Sequence, residues 1–110
     1  IQDEPISPHP PPLPHMASLV TTMIDDVATA FEKENLALIE DLSSRDDVID
    51  DLWHSMFRQT LTIMMENPKT ITRYTSYIMA ARYLERCADH ACKMAENVHY
   101  AITGNRIEIK

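Results

Sequence analysis

The apolar residues of this chain recur at intervals of three and four over three long stretches, and only two short breaks interrupt them. Met16, Leu19, Val20, Met23, Val27, Ala30 and Phe31 open the first stripe, and Leu38, Ile39 and Leu42 continue it. Such spacing lines one face of an α-helix and predicts a helix over residues 15–42, with Asp25, Asp26, Glu32 and Lys33 on its outer side. Ile49, Leu52, Trp53, Met56, Phe57 and Met64 form the second stripe; Ile71, Tyr74, Ile78, Ala81, Leu84, Ala88, Ala91, Ala95, Val98 and Ile102 form the third. Ser43-Ser44 divides the first two, with Ser44 placed to cap a helix and Asp47 in the capping-box position. Glu66-Asn67-Pro68 closes the second, because a residue before proline is pushed out of helical geometry. Thr70 or its neighbour can cap the third, and Gly104 suits the left-handed position just past its end. Three long helices with short connections pack up-down-up, so the expected fold is an all-α, antiparallel three-helix bundle over residues 15–104.

Composition agrees with helices and argues against sheets. Gly104 is the only glycine, and strands joined by tight turns would need several more. The net charge of −7 comes with no basic run, which argues against a nucleic-acid partner and against direct attraction to an anionic membrane surface. No apolar run approaches the roughly 18 residues that cross a bilayer, and no signal-peptide pattern opens the chain. A cytoplasmic protein is expected. Cys87 and Cys92 are five residues apart, about 140° around a helix, so they are read as two reduced thiols near packing positions.

Residues 1–14, IQDEPISPHPPPLP, contain every proline but Pro68, and are expected to form an extended linker. The same stretch could serve as a ligand for a proline-binding domain. A chain that opens on a linker at Ile1 reads as a piece of a longer protein. The tail after Gly104, NRIEIK, is expected to be short and frayed.

The residues with chemical potential are carboxylates one helical turn apart. Asp46 and Asp50, and also Asp47 and Asp51, are so spaced in the second helix, and Glu85 and Asp89 in the third. If the two helices form a hairpin centred near residue 68, Asp50 mirrors to about residue 86 and Asp46 to about residue 90. Asp46, Asp50, Glu85 and Asp89 then share one level of the bundle. Carboxylates gathered there must face solvent, take up protons or hold cations. Hard oxygen donors favour Mg, Mn, Ca or iron over a thiolate-type zinc site. The plainer reading is a solvated acidic face, with Asp46 and Asp47 favoured by the helix dipole and Glu85 paired with Arg82 or Arg86. His54 stands one turn beyond Asp50, and His90 adjoins Asp89 at about 100°. Glu96-x-x-His99 has the spacing of di-iron bundles, which need a second such motif and a fourth helix. No nucleophile elbow, glycine-rich phosphate loop or HExxH motif is visible, so no enzyme activity is expected.

Ala81-Arg82-Tyr83-Leu84-Glu85-Arg86-Cys87-Ala88-Asp89-His90-Ala91 resembles the signature stretch of the PhoU family of phosphate-transport regulators. Ala95-Glu96-Asn97-Val98, Tyr100 and Thr103-Gly104 continue the likeness. Arg45-Asp46-Asp47-Val48-Ile49-Asp50, Met65-Glu66-Asn67-Pro68-Lys69-Thr70-Ile71 and Pro12-Leu13-Pro14-His15-Met16 extend it upstream. The resemblance implies one of two similar three-helix repeats, the C-terminal one, with the Pro-rich start as the linker between repeats. It implies a metal motif of an acid, three residues and Asp, falling on Asp46/Asp50 and Glu85/Asp89, with iron as the expected metal and Mg, Mn or Zn as others. Lys93 departs from the family's usual Asn, and His99 is not typical of it. The implied function is negative regulation of high-affinity phosphate uptake and phosphate-starvation signalling. The implied partners are the ATPase subunit of the phosphate transporter and the phosphate-sensing histidine kinase, with a homodimer allowed and the membrane reached only through partners. Two rival readings stand beside it: a metal-binding or metal-storage bundle with redox activity, and an interaction module without metal.

Overall fold

Each apolar stripe becomes a helix because its buried positions repeat every seven residues. A computed structural model describes residues 12–109, and there the chain is an all-α, antiparallel bundle of three helices in up-down-up order. They are α1 (Leu13–Lys33), α2 (Leu42–Glu66) and α3 (Ile71–Thr103), with 3₁₀ turns at Leu36–Ile39 and Pro68–Thr70. α1 and α2 both lie along α3 and touch each other less, so α3 is the common support. The described chain measures 53 × 23 × 17 Å, its long dimension set by the 33 residues of α3. No described helix is long and apolar enough to cross a membrane.

The seam on α3 is built from small residues. Tyr74, Ala81, Ala88 and Ala95 are seven apart and buried, and Ala91 joins them. Facing them are Met16, Met23 and Ala30 of α1 and Leu42, Ile49 and Met56 of α2, each set again seven apart. A seven-residue repeat keeps one seam facing its partners along the whole helix. Alanines bring the backbones close, and the longer Met, Leu and Ile side chains fill the space between. Val20, Val27, Ile39, Cys92 and Val98 join this core; Cys87 is half-buried, and neither thiol is in a disulfide.

The helix ends follow local chemistry. Asn67, extended at φ −140° before Pro68, ends α2, and its side chain accepts from the Lys69 N–H at 3.3 Å. Thr70 stands at the N-cap position of α3 as expected but makes no side-chain capping bond; its hydroxyl donates back to the Asn67 carbonyl at 2.7 Å. Gly104, at φ 79°, donates its N–H to Tyr100 O and turns the chain out of α3, as its sequence position predicts.

The first helix is shorter than its stripe. α1 ends at Lys33, where Glu34 takes a left-handed conformation at φ 52°. Asn35 then accepts from the Ala37 N–H at 3.0 Å, an Asx turn that starts the 3₁₀ segment. Leu38, Ile39 and Leu42 keep the apolar spacing because the 3₁₀ turn still points them at the core. α2 therefore begins at Leu42, and Ser44 lies inside it, not at its cap. At the other end, Leu13 and Pro14 already belong to α1, where an early proline is no burden because no N–H partner is needed. The expected linker otherwise falls on residues 1–11, outside the described residues. Phe31, Phe57 and Ile71, placed in the core by spacing, are exposed. Each lies at the margin of its stripe, where spacing alone does not separate core from rim.

Close packing of the seam has a measurable consequence. Ala88→Leu should destabilise the bundle by about 1–3 kcal/mol, read as a lower urea midpoint, whereas Ala80→Leu on the exposed side of α3 should stay within about 0.5 kcal/mol. Equal midpoints for the two variants would show that the seam is not closely packed.

A carboxylate cleft between the second and third helices

An Arg clamp sets the position of the first turns of α2. Arg45 Nη2 lies 2.8 Å from Asp26 Oδ2 of α1, and Arg45 Nε donates to Asp41 Oδ1 at 3.1 Å. Burial works against the Arg45 charge, but the hydrogen bonds and charges of Asp26 and Asp41 more than offset it and raise its pKa. Arg45 Nη1 is buried without a hydrogen-bond partner. Asp26, assigned by spacing to the outer face, is thus half-buried and ties α1 to α2. Nothing in the local pattern announces this contact, because its partners are nineteen residues apart.

One turn further on, α2 and α3 enclose an open cleft of about 470 Å³. All four residues singled out by spacing, Asp46, Asp50, Glu85 and Asp89, line it. Asp47, Arg82 and Arg86 line it too, whereas Asp51 and Lys93 do not. Across the two helices Glu85 faces Asp50, close enough for its protonated form to hydrogen-bond there. Arg82 Nη1 meets Glu85 Oε1 at 2.9 Å, which settles the choice between Arg82 and Arg86 as its partner. His54 Nε2 lies 3.6 Å from Asp50 Oδ1, and His90 is exposed outside the cleft lining.

The electrostatics follow from this crowding. Glu85 titrates above its ordinary 4.5, first because it is partly buried and then because its protonated form can hydrogen-bond to Asp50. The Arg82 charge pulls the other way, the Asp50 charge adds to the rise, and the Arg82 hydrogen bond lowers it again. In donor type the lining fits a hard cation, since every acceptor side chain in the cleft is a carboxylate. Among the described residues, no three Asp, Glu, His or Cys side chains converge closely enough to hold an ion in this conformation.

Glu96 and His99 are used elsewhere. Glu96 Oε2 accepts the Ile109 N–H at 2.9 Å, and His99 Nδ1 lies 3.1 Å from Asn105 O. The spacing that resembled half of a di-iron motif serves contacts to the tail, and the tail itself lies back against α3, not frayed as expected.

Comparison with known proteins places these features in a family. A model described as the PhoU domain matches residues 13–98. The chain is 35% identical to the phosphate-specific transport system accessory protein PhoU homolog of Rhizobium meliloti, over 84% of this chain and 39% of that protein. The Caulobacter vibrioides homolog of the same description is 36% identical over 84% of this chain and 40% of that protein. The Clostridium acetobutylicum one is 30% identical over 86% and 43%. The chain therefore spans about two fifths of the length of these relatives. No solved structure matches it.

The raised Glu85 pKa fixes the sign of a pH effect in chelator-treated protein. A carboxyl whose folded pKa lies above its unfolded value favours the fold most below 4.5 and loses that contribution as pH rises through the folded pKa. Glu85→Gln should therefore flatten the fall in stability between pH 4.5 and neutrality, measured as urea midpoints. A profile that falls as steeply in the variant would contradict the raised Glu85 pKa.

Proposed function

The chain belongs to the PhoU domain family, and on that premise we propose that it is a regulatory module of a phosphate-transport system, without enzymatic activity of its own. The observation that carries the reading is the match over residues 13–98, which includes all four cleft carboxylates and the whole seam that positions them. In this reading the module damps high-affinity phosphate uptake and phosphate-starvation signalling. It docks through its long helical faces on the ATPase subunit of the transporter and on the phosphate-sensing kinase, and works in the cytoplasm, reaching the membrane only through those partners.

The cleft supplies a way to make docking conditional. Asp46 and Asp50 hold one wall and Glu85 and Asp89 the other, so the separation of α2 and α3 depends on the charge between them. Arg82 neutralises part of it through its ion pair with Glu85, and Asp50 across the cleft makes the Glu85 charge harder to form. A hard cation, iron in the first instance with Mg, Mn or Zn as others, would supply positive charge there when bound. Asp50 and Glu85 would bind such an ion as carboxylates, any proton on Glu85 leaving to solvent, and Asp46 and Asp89 would complete its oxygen ligands. Phosphate is repelled by the bare carboxylates, so this cleft does not read phosphate directly.

The test is the increment in stability on adding metal. With Fe²⁺ or Mn²⁺ at about 100 times its Kd, the protein should gain roughly 2.7 kcal/mol, and a variant carrying Asp46→Asn, Asp50→Asn, Glu85→Gln and Asp89→Asn should gain nothing. Equal gains in the two proteins, or none in either, would remove the metal from this cleft. Binding of the purified ATPase subunit, compared between the same two proteins with and without metal, separates the adaptor role from the metal. Failure to bind in all four conditions would remove the adaptor reading for this module.

A further inference from the structure

The pair Glu96 and His99 is not used by the carboxylate cleft, yet both side chains are engaged. We propose that they form a latch holding residues 105–109 as a strap over a second cleft, at the opposite end of α3 from the Asn67–Pro68 turn. Gly104 turns the chain back, and the Asn105 N–H donates to Thr103 Oγ1 at 3.0 Å. His99 Nδ1 faces Asn105 O at 3.1 Å, donating to it in the Nδ1-protonated tautomer. The Arg106 guanidinium sits 4.6 Å over the Tyr100 ring, and Glu96 accepts the Ile109 N–H at the far end of the segment. Ile109 then packs against the core.

Beneath the strap lies a cleft of about 550 Å³ whose other wall is Leu36, Ile39, Glu40 and Ser43. Ile107 and Ile109 line the cleft from the strap side. The strap belongs to no helix or sheet, so only these few contacts oppose the entropy of ordering it. It is thus a device that opens without unfolding the bundle, since the α3 seam does not depend on it. The occupant of this cleft in the closed state is the chain's own strap, and opening uncovers Leu36 and Ile39 to solvent. The inference is independent of the function proposed above.

Amide exchange read by NMR tests the latch in the full chain. The Ile109 N–H should exchange at least about tenfold more slowly than in a peptide of the tail sequence. Glu96→Ala should bring it to the peptide rate and Glu96→Gln should retain part of the protection, with the Ala88 and Ala91 amides unchanged in both. Removing residues 105–110 should raise the fluorescence of the neutral apolar dye Nile red above that of the full chain. Exchange at the peptide rate in the unaltered protein, or unchanged protection in Glu96→Ala, would overturn the latch. Dye uptake indifferent to the tail would overturn the closure. Protection of Ile109 that rises with protein concentration would overturn closure within one chain, because the strap would then come from a second copy.

Discussion

The alanine seam of α3 is the constraint on which everything else rests. Ala81, Ala88, Ala91 and Ala95 have no side chain to spare, so α1 and α2 can lie close on the same helix and be held in one register. Register decides which side chains meet across the α2–α3 hairpin. A shift of one turn along the seam would take Asp50 away from Glu85 and set it against a different α3 side chain. The chemistry of the cleft is therefore written in the core.

Against that apolar framework stands an unfavourable electrostatic arrangement. Five carboxyls and two guanidinium groups line the cleft, and the protein answers the imbalance by local means: an ion pair from Arg82, a raised Glu85 pKa, and openness to water. The Arg45 clamp acts on the same region from behind, fixing the start of α2 on α1 so that repulsion in the cleft does not simply splay the helices. A folded bundle that carries such a strained group of charges has its stability core and its chemically responsive region on the same two helices.

Much of this was legible in the sequence, and the misses share one cause. Periodicity located three helices, Asn67–Pro68 and Gly104 marked their ends, and hairpin symmetry brought Asp46, Asp50, Glu85 and Asp89 to one cleft. These are local or two-body arguments, and the chain obeys them. The break at Glu34–Asn35 was hidden because a 3₁₀ turn carried the apolar spacing across it; the Asn beside a left-handed residue was the available signal. The exposure of Phe31, Phe57 and Ile71 depends on which flank of each stripe the neighbours leave uncovered, which no single helix records. Arg45 with Asp26, and Glu96 with Ile109, join positions far apart in sequence and could not be read from spacing.

The length of α3 gives these parts a mechanical relation. From Ile71 to Thr103 it contains neither glycine nor proline, so it has no point at which to bend sharply. A rod of that kind has rigid-body freedom only: it can slide along its axis or roll about it. Glu85 and Glu96 are eleven residues apart, about three full turns, and so project from nearly the same azimuth. Any roll of α3 that changes how Glu85 meets Asp50 must swing Glu96 through the same angle. The carboxylate cleft and the tail segment are thus geared to one shaft, and what turns it at one end is delivered at the other.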